Sequence, residues 1–206
     1  MSAILEQIAP PETFKPTLAF DDEYEGLFTV AALEDLPENA NFRFELIKGE
    51  IIVSTAPRYI HQLTVSKLNT EIAIYLKQNP IGEVTPAPGL IFSDFDAAIP
   101  DLIYLSHERR EQILQPSDGK LHGAPEIAVE VLSPGRLNRR RDTVQKRELY
   151  EEFGVAEYWI VDPRGATVQI YRRSDNKLQL AQTCGENDSI TTPLLPGFAC
   201  AVKDLF

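Results

Sequence analysis

Cysteine is scarce in this 206-residue chain: there are two, Cys184 and Cys200, and they do not form a Cys-x-x-Cys pair. That excludes a disulfide framework and a cysteine-rich zinc site, and it suits a reducing cytoplasm. Both thiols read as small buried hydrophobes. Long hydrophobic runs are also missing, so a membrane-spanning helix is excluded. The opening MSAILEQIAPPETF lacks the basic start and apolar run of a secretory signal. A surplus of positive charge is absent too. Asp and Glu total 31 against 20 Lys and Arg, a net charge of −11, so there is no global basic footprint for nucleic acid. No repeat and no low-complexity tract is found.

What is present suits a folded domain. Hydrophobic residues make up 43% and charged residues 25%, ordinary globular shares in a chain long enough for a sizeable core. Residues 1–28 are acidic and carry Pro10, Pro11 and Pro16, which reads as an arm or strap on a single domain of residues 29–206. One local exception to the acidity is RLNRRRDTVQKR, from Arg136 to Arg147, where Asp142 alone opposes six cations.

Periodicity gives the elements. Thr29 to Leu36 is a short helix, with Thr29 as N-cap and Pro37 as stop. Phe42, Phe44 and Leu46 alternate with Arg43 and Glu45, and EIIVS follows a Lys48-Gly49 turn, so a β-hairpin is expected. From His61 a helix carries Leu63, Leu68, Ile72, Tyr75 and Leu76 on one stripe. Strands are expected near Gly89–Phe92, Ile99–Leu105 and Glu126–Leu132, the last two apolar enough to be covered on both faces. A helix over Asp142–Phe153 starts on Asp142 as N-cap and stops at Gly154. EYWIVDP and TVQIYRR form a second hairpin, and KLQLAQT and FACAVKDLF are closing strands. The order predicts a mixed sheet with helices on its faces, an α/β domain.

Two acids interrupt the covered strands: Asp101 after Pro100, and Glu130 within Glu126–Leu132. A buried carboxylate is costly unless a cation compensates it or its pKa rises. Acids on two neighbouring strands therefore point to a cation site, with a strand end open to water as the plainer alternative. Lys146 adds to the case. Leu149, Tyr150 and Phe153 stand three, four and seven residues after it, which places Lys146 on the inward stripe of its helix. An exposed Asp142–Lys146 helix pair is the plainer reading, worth only ~0.3–0.5 kcal/mol.

The ordered set FELIKGEIIVS, His61-Gln62, IPDLIYL, PEIAVEVLSP, Asp142…Lys146…Tyr150 and AEYWIVDP resembles the Pro-Asp…(Asp/Glu)-x-Lys nuclease superfamily. It is most similar to the Uma-type branch of restriction-like endonucleases. One departure stands out. Leu132 occupies the place where the superfamily motif usually has Lys, and Lys146 matches the helix position that carries the lysine in this branch.

The resemblance implies a restriction-endonuclease-like αβββαβ core, with an added N-terminal hairpin and C-terminal strands. It implies a cytoplasmic Mg²⁺-dependent endonuclease acting on DNA, with Mn²⁺ as a substitute ion and a homodimer as the working unit. Asp101, Glu130 and the Val131 carbonyl would hold the metal, and Asp101, Glu130 and Lys146 would be catalytic. Glu45 and His61 match further positions of the branch. Taken singly, Glu45 reads as exposed on a hairpin and His61 as a solvated helix-start residue. Arg136, Arg139, Arg140 and Arg141 would grip flanking phosphates. The acidity of the chain favours a rival reading, a catalytically silent nuclease-fold module for binding or assembly. Another metal hydrolase, acting on small molecules, would need a closed pocket.

Overall fold

The computed structural model describes residues 26–34, 36 and 42–206. The acidic arm expected over residues 1–28 lies almost wholly outside them. Helix α1 covers Val30–Glu34, shorter than the expected span. The first hairpin pairs β1 (Phe42–Ile47) with β2 (Glu50–Thr55), from Phe42↔Thr55 to Ile47↔Glu50. Its two turn residues, Lys48 and Gly49, have φ of 52° and 75°. Such a primed two-residue turn matches the strand twist and favours glycine at its second position.

Helix α2 (Tyr59–Gln78) buries His61, Thr64, Val65, Leu68, Ile72 and Leu76, a stripe of three- and four-residue steps. Gly82 opens strand β3 (Gly82–Pro86). A side chain there would collide with the Leu105 carbonyl, so glycine lets β3 lie against its neighbour. Then follow β4 (Leu90–Ser93), β5 (Asp96–Ala98), β6 (Leu102–Ser106), α3 (His107–Ile113), β7 (Leu121–His122) and β8 (Ile127–Val131). A helical stretch runs through α4 (Arg136–Arg140), a π turn (Arg141–Gln145) and α5 (Lys146–Glu152). The chain closes with β9 (Glu157–Asp162), β10 (Thr167–Ser174), β11 (Lys177–Cys184), β12 (Ser189–Ile190), β13 (Cys200–Ala201) and a 3₁₀ turn over Val202–Leu205.

Among the described residues the strands form two main sheets. One runs β11-β10-β9-β8-β6-β3 and the other β2-β1-β5-β4-β7, while β12 and β13 make a small ribbon. The six-stranded sheet is mixed: β8 and β9 are parallel, and β6 is antiparallel to β8. Val129 and Val131 pack with Val65, Leu68 and Ile72 of α2. Ala128 and Leu132, on the other face, pack with Leu149 and Tyr150 of α5 and with Ile47 and Ala98 of the second sheet. Cover on both faces explains why β8 is nearly continuous in apolar residues.

The added N-terminal hairpin is present, as part of the second sheet. Three sequence expectations need correction. The strand after Pro100 starts at Leu102, so Asp101 lies in the bend before it. The last strand stops at Ala201. The helix expected from Asp142 begins at Arg136, and Asp142 is interior, its carboxylate held by Arg141 Nε at 2.8 Å. The arginines and Leu137 are good helix formers, so the basic segment is helical ahead of Asp142.

Candidate active site

The π turn sets the phase of the helix that carries Lys146. The Lys146 N–H bonds the carbonyl of Arg141, five residues back. In an α-helix it would bond Asp142, so one carbonyl is left over. Tyr158 of β9 takes it, donating its hydroxyl to the Asp142 carbonyl at 2.7 Å. Tyr158→Phe should therefore destabilise the fold by about 1–3 kcal/mol, because a buried acceptor loses its donor. Urea unfolding of the variant checks this, and a change below a few tenths of a kcal/mol would contradict it.

From this turn Lys146 points inward and is 2% exposed. Its Nζ lies 2.7 Å from Glu130 Oε1 and 2.8 Å from Glu45 Oε1. Tyr150, one helical turn later, donates its hydroxyl to the same Glu130 oxygen at 2.9 Å. Glu45 also accepts the Ile99 N–H, at 2.7 Å. The sequence reading of Glu45 as exposed on a hairpin is overturned: it is 3% exposed, because the hairpin's sheet is packed on this face as well.

Asp101 is placed by the edge of β8. Its N–H bonds the Val129 carbonyl, and its Oδ2 accepts the Val131 N–H at 2.8 Å. His61 Nε2 lies 3.0 Å from the same oxygen, and Arg43 Nη1 lies 3.5 Å from Oδ1. His61 is buried within the first turn of α2, which corrects its reading as a solvated helix-start residue. Its Nδ1 is buried and has no hydrogen-bond partner among the described residues.

Five elements thus bring their groups to one recess of ≈ 200 Å³. Glu45, His61, Asp101, Glu130 and Lys146 all line it, together with Arg43, Arg58, Asn138 and Arg141. The sequence reading missed Arg43, Arg58 and Asn138. Only Arg43 had a signal: it stands two residues before Glu45, on the same strand face. Of the four arginines expected to hold phosphate, Arg141 reaches the recess while paired to Asp142. Arg139 is paired with Asp162 at 2.8 Å, and Arg140 is exposed. The side chain of Arg136 lies outside the described residues.

The electrostatics are strained toward excess negative charge. Burial holds the Glu130 carboxyl well above its ordinary range. Lys146 opposes that shift, but Asp101, Asp142 and Glu45 reinforce it. Burial also raises Asp142, more than Lys146 and Arg141 bring it down. For Asp101 burial pushes upward as well, yet the bond and charge of His61, with Lys146 and the Val131 N–H, bring it below its usual value. Lys146 is raised: burial lowers it, and Glu130, Glu45 and Asp142 outweigh that.

A divalent cation suits such a site. The available donors are hard carboxylate oxygens, and a further positive charge would relieve Glu130. Among the described residues no three His, Cys, Asp or Glu side chains are grouped to hold a metal by themselves. The remaining ligands would have to be backbone oxygens, waters or a substrate phosphate, as Mg²⁺ accepts.

A family model named Uma2 and described as "Putative restriction endonuclease" matches residues 30–203. The chain belongs to the Uma2 family. The Uma2 segment contains every group of the recess, from Arg43 to Lys146. Among solved structures, the crystal structure of "a putative nuclease belonging to DUF820" from Anabaena variabilis ATCC 29413 matches with a TM-score of 0.68 at 22% identity. The match covers 87% of this chain and 97% of that one, so the two share a fold. The Uma2 chain accordingly has the restriction-endonuclease-like architecture, mixed sheets flanked by helices. No curated protein matches the chain. No helix among the described residues is long and apolar enough to cross a membrane.

Proposed function

We propose that this Uma2 chain is a metal-dependent endonuclease that hydrolyses phosphodiester bonds of DNA. One observation carries the reading: the buried ammonium of Lys146 stands between Glu130 and Glu45 in the recess that also holds Asp101. Asp101, Glu130 and the Val131 carbonyl would hold the Mg²⁺, with Mn²⁺ as a substitute. When bound, such an ion polarises a phosphate and acidifies a water.

The chain's own groups supply the rest. His61 and the Val131 N–H fix Asp101 with its charge retained. Tyr150 and Lys146 fix Glu130 through one oxygen. Lys146 keeps its proton, so it can donate to the attacking water or to a phosphate oxygen and offset developing charge. Arg43, Arg58 and Arg141 border the recess as cations for flanking phosphates. All these groups come from one chain. The homodimer that the resemblance implies would bring a second site for a second strand, not complete the first.

Calorimetric titration with Mg²⁺ and Mn²⁺ tests the metal. The parent should bind, and Asp101→Asn and Glu130→Gln should each abolish binding, since both keep shape and remove charge. Unchanged affinity in both variants would contradict the site. That result would favour the silent-module reading, which one observation supports: Lys146 and Asp101 already have ion-pair partners within the chain.

A further inference from the structure

Asn138, Arg141 and Lys146 all line the recess, although they lie on one helical stretch at a spacing that a plain helix would not allow. The step of three from Asn138 to Arg141 keeps one face of an α-helix. The step of five from Arg141 to Lys146 does not: at 3.6 residues per turn the two would stand about 140° apart. The π turn closes that gap. It bonds the Lys146 N–H to the Arg141 carbonyl and so brings both residues to one side.

Lys146 is anchored in α5 with Leu149 and Tyr150, both fully buried. The π turn therefore decides where the residues ahead of it point. Without it, α4 would rotate about its axis and carry Asn138 and Arg141 off the recess. Such turns leave a carbonyl over, and they are frequent at functional sites. Here the spare carbonyl, that of Asp142, has a dedicated donor in the Tyr158 hydroxyl at 2.7 Å. Tyr158 is fully buried on β9, its ring centroid 5.0 Å from that of Tyr150.

What the turn presents is an open set of donors. Asp142 Oδ1 takes the Arg141 Nε–H at 2.8 Å, one of the five N–H donors of a guanidinium. The Nη groups of Arg141 have no hydrogen-bond partner among the described residues, and its side chain is 14% exposed. Burial lowers the Arg141 pKa, but Asp142, Glu45 and Glu130 outweigh that, so the charge is kept. Asp142 thus steadies a cation whose remaining donors suit the paired oxygens of a phosphate.

We propose that Tyr158 is a positioning residue: its hydroxyl holds the π turn, and the turn holds the Arg141 guanidinium in the recess, where it grips the substrate phosphate beside Lys146. The inference rests on the nuclease reading and names the contact on which phosphate binding depends.

The test compares cleavage of a labelled DNA in Mg²⁺ by the full chain and its variants, at a temperature where circular dichroism shows all of them folded. Arg141→Gln should lower kcat/KM about 10- to 100-fold, the loss of one or two charge-assisted hydrogen bonds. Tyr158→Phe should match it, although it removes no charge and touches no substrate. The two together should lose no more than either alone, because they act through one group. Calorimetry should show Mg²⁺ affinity unchanged in both, since Asp101 and Glu130 are untouched.

Deletion of Thr143 supplies the control. It leaves Arg141 four residues before Lys146, on one face of a plain α-helix, and gives the Asp142 carbonyl the Arg147 N–H as partner. The deletion should keep most of the parent's rate, and Tyr158→Phe in that background should cost nothing further. A folded Tyr158→Phe that cuts like the parent would overturn the proposal. So would losses that multiply with Arg141→Gln, or an equal Tyr158→Phe loss after the deletion. The two readings fail separately. A parent that cuts DNA under no divalent metal defeats the nuclease, and DNA binding by fluorescence anisotropy then takes the place of cleavage in the same comparison. Binding that neither Arg141→Gln nor Tyr158→Phe weakens would defeat the positioning role as well.

Discussion

Lys146→Met should cost the fold about 3–5 kcal/mol, the usual loss when one partner of a buried ion pair is removed. Met keeps most of the length and apolar stem of the lysine, so packing changes little. The loss is electrostatic: Glu130 and Glu45, each 3% exposed, are left without the ammonium that both contact. The deficit should depend on pH with a definite sign. Glu130 is raised in the folded protein even with Lys146 present. An acid raised on folding binds more protons folded than unfolded, so its stabilising contribution is complete below the unfolded value and is lost as pH climbs through the folded one. Removing Lys146 lifts Glu130 further. Urea unfolding should therefore show a larger deficit at pH 8 than at pH 5, and Glu130→Gln in the Lys146→Met background should recover part of it. A deficit below about 1 kcal/mol at pH 8 would mean that the pair contributes no more than an exposed one.

Asp101→Asn should lower phosphodiester cleavage by about 10²-fold or more, the loss typical when a positioned charge or donor is removed from a polar reaction. The asparagine oxygen can still accept the Val131 N–H, so the bend before β6 should hold. What disappears is the negative charge that faces His61, Arg43 and any metal. The effect on rate should thus far exceed the effect on stability. Equal fractional losses of cleavage and of folded protein would make Asp101 a structural residue.

The strongest parts of this site were legible because they break local rules. Asp101 and Glu130 interrupt apolar runs, and Lys146 falls on a stripe otherwise filled by Leu149, Tyr150 and Phe153. Each is a local contradiction that only a tertiary partner resolves. Glu45 breaks no rule: alternation with Phe44 and Leu46 is what a half-exposed strand looks like. Its burial comes from the packing of the hairpin's sheet on this face, and the cation that compensates it, Lys146, arrives about a hundred residues later in the chain. The π turn was invisible for a different reason. A 3.6-residue period cannot register one extra residue, and the compensating hydroxyl of Tyr158 lies on another element. Strands β3, β5 and β7 are short and rich in Gly, Pro, Asp and His, and neighbouring strands rather than propensity fix their pairing. The arginine run was read from charge alone, whereas Asp142 and Asp162 decide where Arg141 and Arg139 point.

The central claim is that the recess is a working phosphodiesterase site, and cleavage tests it directly. The purified full chain is incubated with a labelled single-stranded DNA and with its duplex, in Mg²⁺, in Mn²⁺ and in a chelator, beside the Asp101→Asn variant. A working site predicts cuts in the presence of metal, none in chelator, and a loss of about 10²-fold or more in the variant. Metal binding by the parent with no cleavage of either DNA, or cleavage that Asp101→Asn leaves unchanged, would contradict it.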